Sequence, residues 1–217
     1  ELLVRVMTDS ICMSTYKAAI QGSDHKRVPD DIAENPIIVG HEFAGTIVKV
    51  GKQHQDKFRE GQRFALQPTL NYKGTLWAPG YSFPYYGGAC TYCVIPPQAV
   101  EMGCILPYAG ESFFEASLGE PISCIIAAYK SNYHTSTQTY DHQMGVKPEG
   151  NVLILGGCGP MGLGAISYGL AMKNGPKRIV VTEINDARLE SARRMLSEAE
   201  ATERGVELHY VNTAKPG

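Results

Sequence analysis

The sequence predicts a two-part chain of the α/β plus β class: a β-rich first part, then a doubly wound parallel sheet that stops half-way. Three observations carry this. Gly, Pro and aromatic residues punctuate short β-rich runs up to about residue 150, and strands and helices alternate beyond it. The order after that point is β-α-β-α-β, one half of a doubly wound sheet. A glycine-rich turn, Gly157-x-Gly159-x-x-Gly162, lies between the first of these strands and its helix.

Composition sets the outer limits. The 217 residues are 43% hydrophobic and 19% charged, which is neither a disordered nor a supercharged chain. A net charge of -2 with no basic block argues against a nucleic-acid binder. No apolar run is long enough to span a membrane, and no signal-peptide pattern opens the chain. The six cysteines, Cys12, Cys90, Cys93, Cys104, Cys124 and Cys158, are too few for a disulfide scaffold of this length. They suit a reduced cytoplasmic setting, where Cys serves as ligand, nucleophile or core filler.

In chain order, Leu2–Asp9, Phe43–Gly51, Gln62–Pro68 and Ala89–Pro96 read as strands, with Pro96-Pro97 ending the last. A helix is expected from Pro121 to about Lys130, because Ile122, Ile125, Ile126 and Tyr129 share a face and Pro121 suits a first turn. Residues 131–150 are polar and irregular and read as a connector. Val152–Leu155 is wholly apolar, as buried parallel strands are. A helix from about Pro160 to Lys173, a strand at Arg178–Asn185, a helix from Asp186 to about Arg204 and a strand at Gly205–Asn212 follow. The expected domains are 1–145 and 146–217. Half of the second sheet is missing, so the chain reads as an incomplete piece of a longer protein, inactive by itself.

The glycine fingerprint has a mechanism. The first glycine allows the tight turn, the second lets backbone approach a pyrophosphate, and the third lets helix and strand pack closely. The helix N-terminus, GCGPMG from Gly157 through Pro160 and Met161 to Gly162, then offers free N–H groups to the anion. Glu183 ends the next strand and can accept both ribose hydrogen bonds, which favours NAD(H) over NADP(H). Arg178 and Arg188 lie near enough in sequence to soften that preference.

A second motif, Gly40-His41-Glu42-x-x-Gly45 followed by Gly51, carries a resemblance. The chain resembles the zinc-dependent medium-chain alcohol and polyol dehydrogenases. Within them it is most similar to the sorbose-1-phosphate reductase group, through TDSICMSTYK, QGSDHKRVPDD, GYSFPYYGG and the NYH…DHQMG connector. The resemblance implies a GroES-like β-barrel catalytic domain followed by a partial Rossmann domain. It also implies one catalytic Zn²⁺, commonly in a homodimer or homotetramer. By position, Cys12 matches the thiolate ligand and His41 the imidazole ligand. Glu42 matches the acid beside the metal, touching it directly or through another ligand. Glu120 matches the Glu that polyol dehydrogenases place where alcohol dehydrogenases have Cys, with Cys124 as the alternative ligand. Such a set suits a catalytic zinc, which takes about three S, N and O ligands and keeps one position open.

The pattern departs from the family after Cys12. Ser14 keeps the hydroxyl that relays a substrate proton. Thr15 stands where an Asp would orient the His ligand, and Lys17 where a His would end the relay. Lys17 reads either as a partner for a substrate phosphate or as a surface lysine. His25-Lys26-Arg27 reads as a solvated loop before it reads as a phosphate contact. Tyr81, Phe83 and Tyr86 read either as pocket lining or as packing under a loop. Cys90 and Cys93, three apart on an expected strand, should face opposite sides, and no structural zinc is expected. His134 and His142 have no ligand-like spacing.

The expectation is a zinc-dependent oxidoreductase moving a hydride between NAD(H) and a small polyol or sugar phosphate, with no nucleic acid or membrane partner. A zinc-free NAD(P)H reductase of the same superfamily and a non-catalytic nucleotide binder are the alternatives.

Overall fold

The computed structural model describes residues 1–215 and divides into two compact units, Glu1–Glu120 and Pro121–Gly217. That division falls inside a helix, upstream of the 145/146 boundary read from the sequence.

The first unit is built on an antiparallel sheet of five strands, β1 (Leu2–Asp9), β2 (Phe43–Val50), β3 (Arg63–Leu66), β4 (Tyr92–Ile95) and β5 (Ile105–Pro107), in the order β4-β1-β2-β3-β5. Period-two alternation explains it: Leu2 and Val4 of β1 point into a core with Phe43, Ile47, Phe64, Leu66, Tyr86 and Ile95. Phe43 meets both Phe64 and Tyr86 edge-on, with centroids 6.1 Å apart in each case. Three short helices decorate the sheet: α1 (Met13–Gln21), α2 (Pro97–Glu101) and α3 (Phe113–Ser117).

The sequence reading gave no helix at 13–21. Of α1's residues only Ala18 is buried, while Met13, Tyr16 and Ile20 are exposed, so no apolar stripe marks it. Two aromatic expectations separate here. Phe83 and Tyr86 belong to the core, and the packing reading holds for them rather than the pocket-lining one. Cys90 and Cys93 correct a further expectation. Cys90 precedes β4 in a bend, so strand alternation does not apply to it; it packs against the same core that holds Cys93, and its Sγ donates to the Gly87 carbonyl at 3.3 Å. Burial pushes the Cys93 thiol up to about 12.

The second unit opens on α4 (Gly119–Ser131), longer than expected, and a small hairpin, β6 (Tyr133–Thr135) with β7 (His142–Met144), in the stretch read as an irregular connector. Then β8 (Asn151–Ile154), α5 (Pro160–Ala171), β9 (Arg178–Glu183), α6 (Asp186–Met195), α7 (Glu198–Glu203) and β10 (Glu207–Asn212) form a parallel sheet in the order β10-β9-β8. This is the arrangement of one half of a doubly wound fold. Ile166, Leu170, Ile179, Val181, Leu189 and Leu208 fill its core. Tyr129 of α4 donates to the Ala165 carbonyl of α5 at 2.7 Å. Leu153 of β8 is 59% exposed and Leu155 beyond it 75%.

The single helix expected from Asp186 to Arg204 is two helices. Ser197 and Glu200 form a reciprocal capping box that starts α7. The Ser-x-x-Glu signature was present in the sequence. Among the described residues no helix is long and apolar enough to cross a membrane.

One close approach fixes the first unit's ligand-bearing loops. Gly80 has φ +75°, and a Cβ there would lie 2.4 Å from the Gly40 carbonyl oxygen. Gly40 and Val39 in turn accept backbone N–H bonds from Gly88 and Ala89 at 2.9 Å each. Gly80→Ala should therefore lower the unfolding free energy by about 3 kcal/mol. Gly61→Ala, at φ +80° in open space, should cost only about 1 kcal/mol. Urea midpoints of the two variants check this; equal shifts would mean that the crowding at Gly80 relaxes freely.

Candidate metal centre and nucleotide turn

Cys12 is the N-cap of α1, so the first helical turn sets three functional side chains side by side. Ser14 lies with its hydroxyl 2.9 Å from the Cys12 sulfur. Thr15 reaches the other way, its Oγ1 3.2 Å from His41 Nδ1. His41 and Glu42 precede β2, and the β1–β2 ladder pairs Asp9 with Phe43, which brings residues thirty apart in sequence together. Ser10 N–H donates to the Glu42 carbonyl at 3.1 Å, and the Ser10 hydroxyl to Glu42 Oε2.

The outcome is a cluster in which donor atoms of Cys12, His41 and Glu42 all lie within 4.8 Å of one another. Among the described residues it is the one grouping of three or more such side chains. His41 and Glu42 are buried, and His41 Nε2 sits 3.9 Å from Glu42 Oε1. Burial holds the His41 imidazole below its ordinary proton affinity, partly offset by Glu42, so it is neutral and can offer a lone pair at pH 7. His41 Nδ1 is hydrogen-bonded to Thr15 Oγ1, and Nε2 faces Glu42. Thr15 thus partners the imidazole at the position where the resemblance implies an Asp, with a neutral hydroxyl in place of a carboxylate.

Glu120 is not drawn into the trio. It lines a cavity of about 420 Å³ together with Ser14, Lys17, His25, Arg27, His41 and Tyr81. Tyr81 is the residue whose importance the sequence left open. Its ring stacks on His25 with centroids 5.4 Å apart, and meets His41 at 5.1 Å. Burial raises its phenol. His25 and Arg27, read as part of a solvated loop, are partly exposed and line this cavity, while Lys26 is exposed. Cys124 lines a separate apolar groove with Ile154, Gly157 and Met161 in the second unit.

Asp9 supports the centre from behind. Its carboxyl accepts the Glu42 N–H at 3.2 Å and is crowded by Gly40 and Gly88, where a Cβ would strike it. Burial, with a smaller push from Glu42's charge, raises it from 3.8 to about 6.

At the glycine turn, positive φ falls on Gly156 (+61°), one residue before the fingerprint. Gly157 is needed for a different reason: a Cβ there would lie 2.7 Å from both Ile154 and Val181 side chains. Gly162 packs against the Gly157 backbone, where a Cβ would lie 2.2 Å from its carbonyl oxygen. Gly159 has open space beside it and is the N-cap of α5, with Pro160 at N1 and Met161 partly exposed. Glu183 is buried at the end of β9, and its Oε1 accepts the N–H groups of Ile184 (2.9 Å) and Asn185 (3.2 Å). Oε2 makes no hydrogen bond among the described residues.

Residues 1–103 match the family described as the alcohol dehydrogenase GroES-like domain. The chain is 48% identical over 213 residues to mannitol-1-phosphate 5-dehydrogenase of Aliivibrio fischeri, covering 98% of this chain and 50% of that protein. It is 50% identical over 194 residues to L-sorbose 1-phosphate reductase of Klebsiella pneumoniae, covering 89% and 47%. The fold is similar to that of galactitol-1-phosphate dehydrogenase from Escherichia coli (TM-score 0.64, 20% identity, 100% of this chain and 55% of that one). The chain spans about half the length of the curated relatives it matches.

Two outcomes follow from the geometry. Thr15→Val removes the partner of His41 Nδ1 and should weaken Zn²⁺ binding by roughly 10- to 100-fold with little change in the urea midpoint of the metal-free chain. Competition with a chromogenic chelator measures it. Asp9 gives a pH dependence. Its folded value exceeds its unfolded one, so in the metal-free chain its charge costs stability above about pH 6 and not below about 4. Asp9→Asn should raise stability at pH 7 by about 1 kcal/mol after screening, and the difference from wild type should vanish near pH 4. Denaturation at several pH values would expose an error of sign.

Proposed function

We propose, from the match of residues 1–103 to the alcohol dehydrogenase GroES-like domain, that this chain is the metal-binding and first nucleotide-binding portion of a zinc-dependent oxidoreductase. It moves a hydride between NAD(H) and a polyol or sugar phosphate. The observation that carries the reading is the sulfur, nitrogen and oxygen donor set of Cys12, His41 and Glu42, within 4.8 Å of one another.

The donor set fits zinc by its chemistry: one thiol, one imidazole kept neutral by burial and one carboxylate leave a coordination position open. Zinc held there supplies Lewis-acid polarisation of an alcohol oxygen. The chain's own side chains do the rest. The Thr15 hydroxyl, hydrogen-bonded to Nδ1, orients the His41 ring. Glu42 is anchored through Oε2 by Ser10, which leaves Oε1 directed at the centre. Ser14 Oγ, exposed at the cavity, takes the substrate hydroxyl proton as it passes its own on to the water of that cavity, which Tyr81 also lines. Glu120 faces the same cavity as a further acceptor.

For the cofactor, the open space at Gly159 and the free first-turn N–H groups of α5 support a pyrophosphate beside Gly157, Gly159, Pro160, Met161 and Gly162. Glu183 Oε2 is placed for a ribose hydroxyl and repels a 2′-phosphate, which supports NAD(H) over NADP(H).

Zinc content per chain is the test, on the longest natural form of the protein. One zinc per chain, lost in Cys12→Ala, is expected, together with reduction of NAD by a polyol or polyol phosphate. No zinc in a chelator-free preparation would overturn the reading in favour of a zinc-free reductase. Two zincs would place a second site elsewhere, with Cys90 and Cys93 the first residues to replace.

A further inference from the structure

The cavity beside the metal centre is asymmetric in charge. Its lining holds three basic side chains, Lys17, His25 and Arg27, beside His41 and a single acid, Glu120. Lys17 sits on α1, three residues past Ser14. His25 and Arg27 come from the loop after α1. That loop is fixed: the Ser82 hydroxyl donates to the Arg27 carbonyl at 2.8 Å, and Val28 is buried with Ala18, Ala78 and Tyr81. The Arg27 guanidinium lies over the Tyr81 ring at 5.9 Å, and one of its nitrogens donates to the Leu76 carbonyl at 3.4 Å. The Arg27 N–H donates to His25 Nδ1 at 3.3 Å, so the neutral His25 imidazole carries its proton on Nε2 as a donor. Like charges gathered this way repel: Lys17, Arg27 and Lys26 all add to the burial that lowers His25's proton affinity. Among the charged groups lining the cavity, Glu120 is the one acid that faces them.

We infer that Lys17, His25 and Arg27 form a subsite for a phosphate monoester on the substrate, which makes them the residues that select a phosphorylated polyol or ketose over the free sugar alcohol. This rests on the reading of Cys12, His41 and Glu42 as the zinc centre. A planar guanidinium, an ammonium and an N–H donor together match the oxygens of a phosphate dianion and not the hydroxyls of a free polyol. Tyr81 sets the distance. The imidazoles of His25 and His41 both lie against its ring, at 5.4 and 5.1 Å, so their centroids are no further apart than those two distances combined. One linear sugar phosphate bridges that gap inside about 420 Å³. Tyr81 is therefore a positioning residue for both ends of the substrate.

The test uses the zinc-loaded, longest natural form of the protein, with mannitol 1-phosphate, mannitol and inorganic phosphate as probes. Wild type should show a kcat/KM for mannitol 1-phosphate at least about 100-fold above that for mannitol, falling with salt, and inhibition by inorganic phosphate competitive with the ester. Arg27→Gln and Lys17→Gln should each cut that preference by roughly 10-fold or more, mainly through KM, and weaken phosphate inhibition alike, with zinc content unchanged. Arg27→Lys should restore part of it. Retained preference in both Gln variants would overturn the assignment. So would a zinc-loaded wild type that oxidises mannitol and mannitol 1-phosphate equally well; that result leaves the oxidoreductase reading standing. A protein that holds no zinc and oxidises neither overturns both.

Discussion

The ladder between β1 and β2 ends with Asp9 opposite Phe43, and everything chemical in the first unit hangs from that end. Asp9 takes the Glu42 N–H, and Ser10 takes the Glu42 carbonyl and carboxylate, so the peptide carrying His41 and Glu42 is fixed from both sides. Cys12 follows two residues later and opens α1, whose first turn delivers Ser14 and Thr15 to the same spot. A slip of one residue in this ladder would turn the strand's alternation over and separate the sulfur from the imidazole. The glycines near the site serve the same constraint. Gly40 and Gly88 leave room for the Asp9 carboxyl, and Gly80 lets a second loop press onto Gly40.

That arrangement is electrostatically costly without a cation. A buried carboxylate and a thiol crowd one imidazole, with the half-buried Asp9 carboxyl next to Glu42. Burial pushes that Asp9 carboxyl up to about 6, and the Glu42 charge adds to the shift. The neutral imidazole adds no positive charge to relieve it. A divalent ion held there would offset the repulsion and so link metal binding to the stability of the first unit. The polar residues behind the ligands, Ser10, Thr15 and Asp9, are the means by which the fold keeps the donors in place before a metal arrives.

What was legible in the sequence was what repeats locally. The β-α-β-α-β order and the Gly-x-Gly-x-x-Gly turn fixed the second unit, because period and punctuation survive without tertiary context. His41 and Glu42 were legible through a motif and Cys12 through the resemblance by position, and the structure brings their donor atoms within 4.8 Å of one another. The failures have physical causes. Helix α1 lacks a buried stripe, and so left no period to read. The Cys90 orientation failed because a bend interrupts the alternation that β4 imposes on Cys93. Phe83, Tyr86 and Tyr81 share one aromatic-rich segment, yet two enter the core and the third faces the cavity; only the path of the loop over Gly40 separates them. Glu120, matched to a ligand position by resemblance alone, lines the cavity that His41 also lines, outside the 4.8 Å grouping, a distance that sequence does not carry.

Tyr81 shows why that loop's path matters beyond packing. Its ring lies against the imidazoles of His25 and His41 and under the Arg27 guanidinium, and its hydroxyl end lines the same cavity as Ser14. An aromatic ring is rigid across its width, so one side chain fixes the spacing of all three groups around it without adding charge to any of them. Lys17, His25, Arg27 and Glu120 therefore line one cavity around a neutral ring. The chemistry of the cavity is thus set as much by the neutral side chain that organises these groups as by the charges themselves.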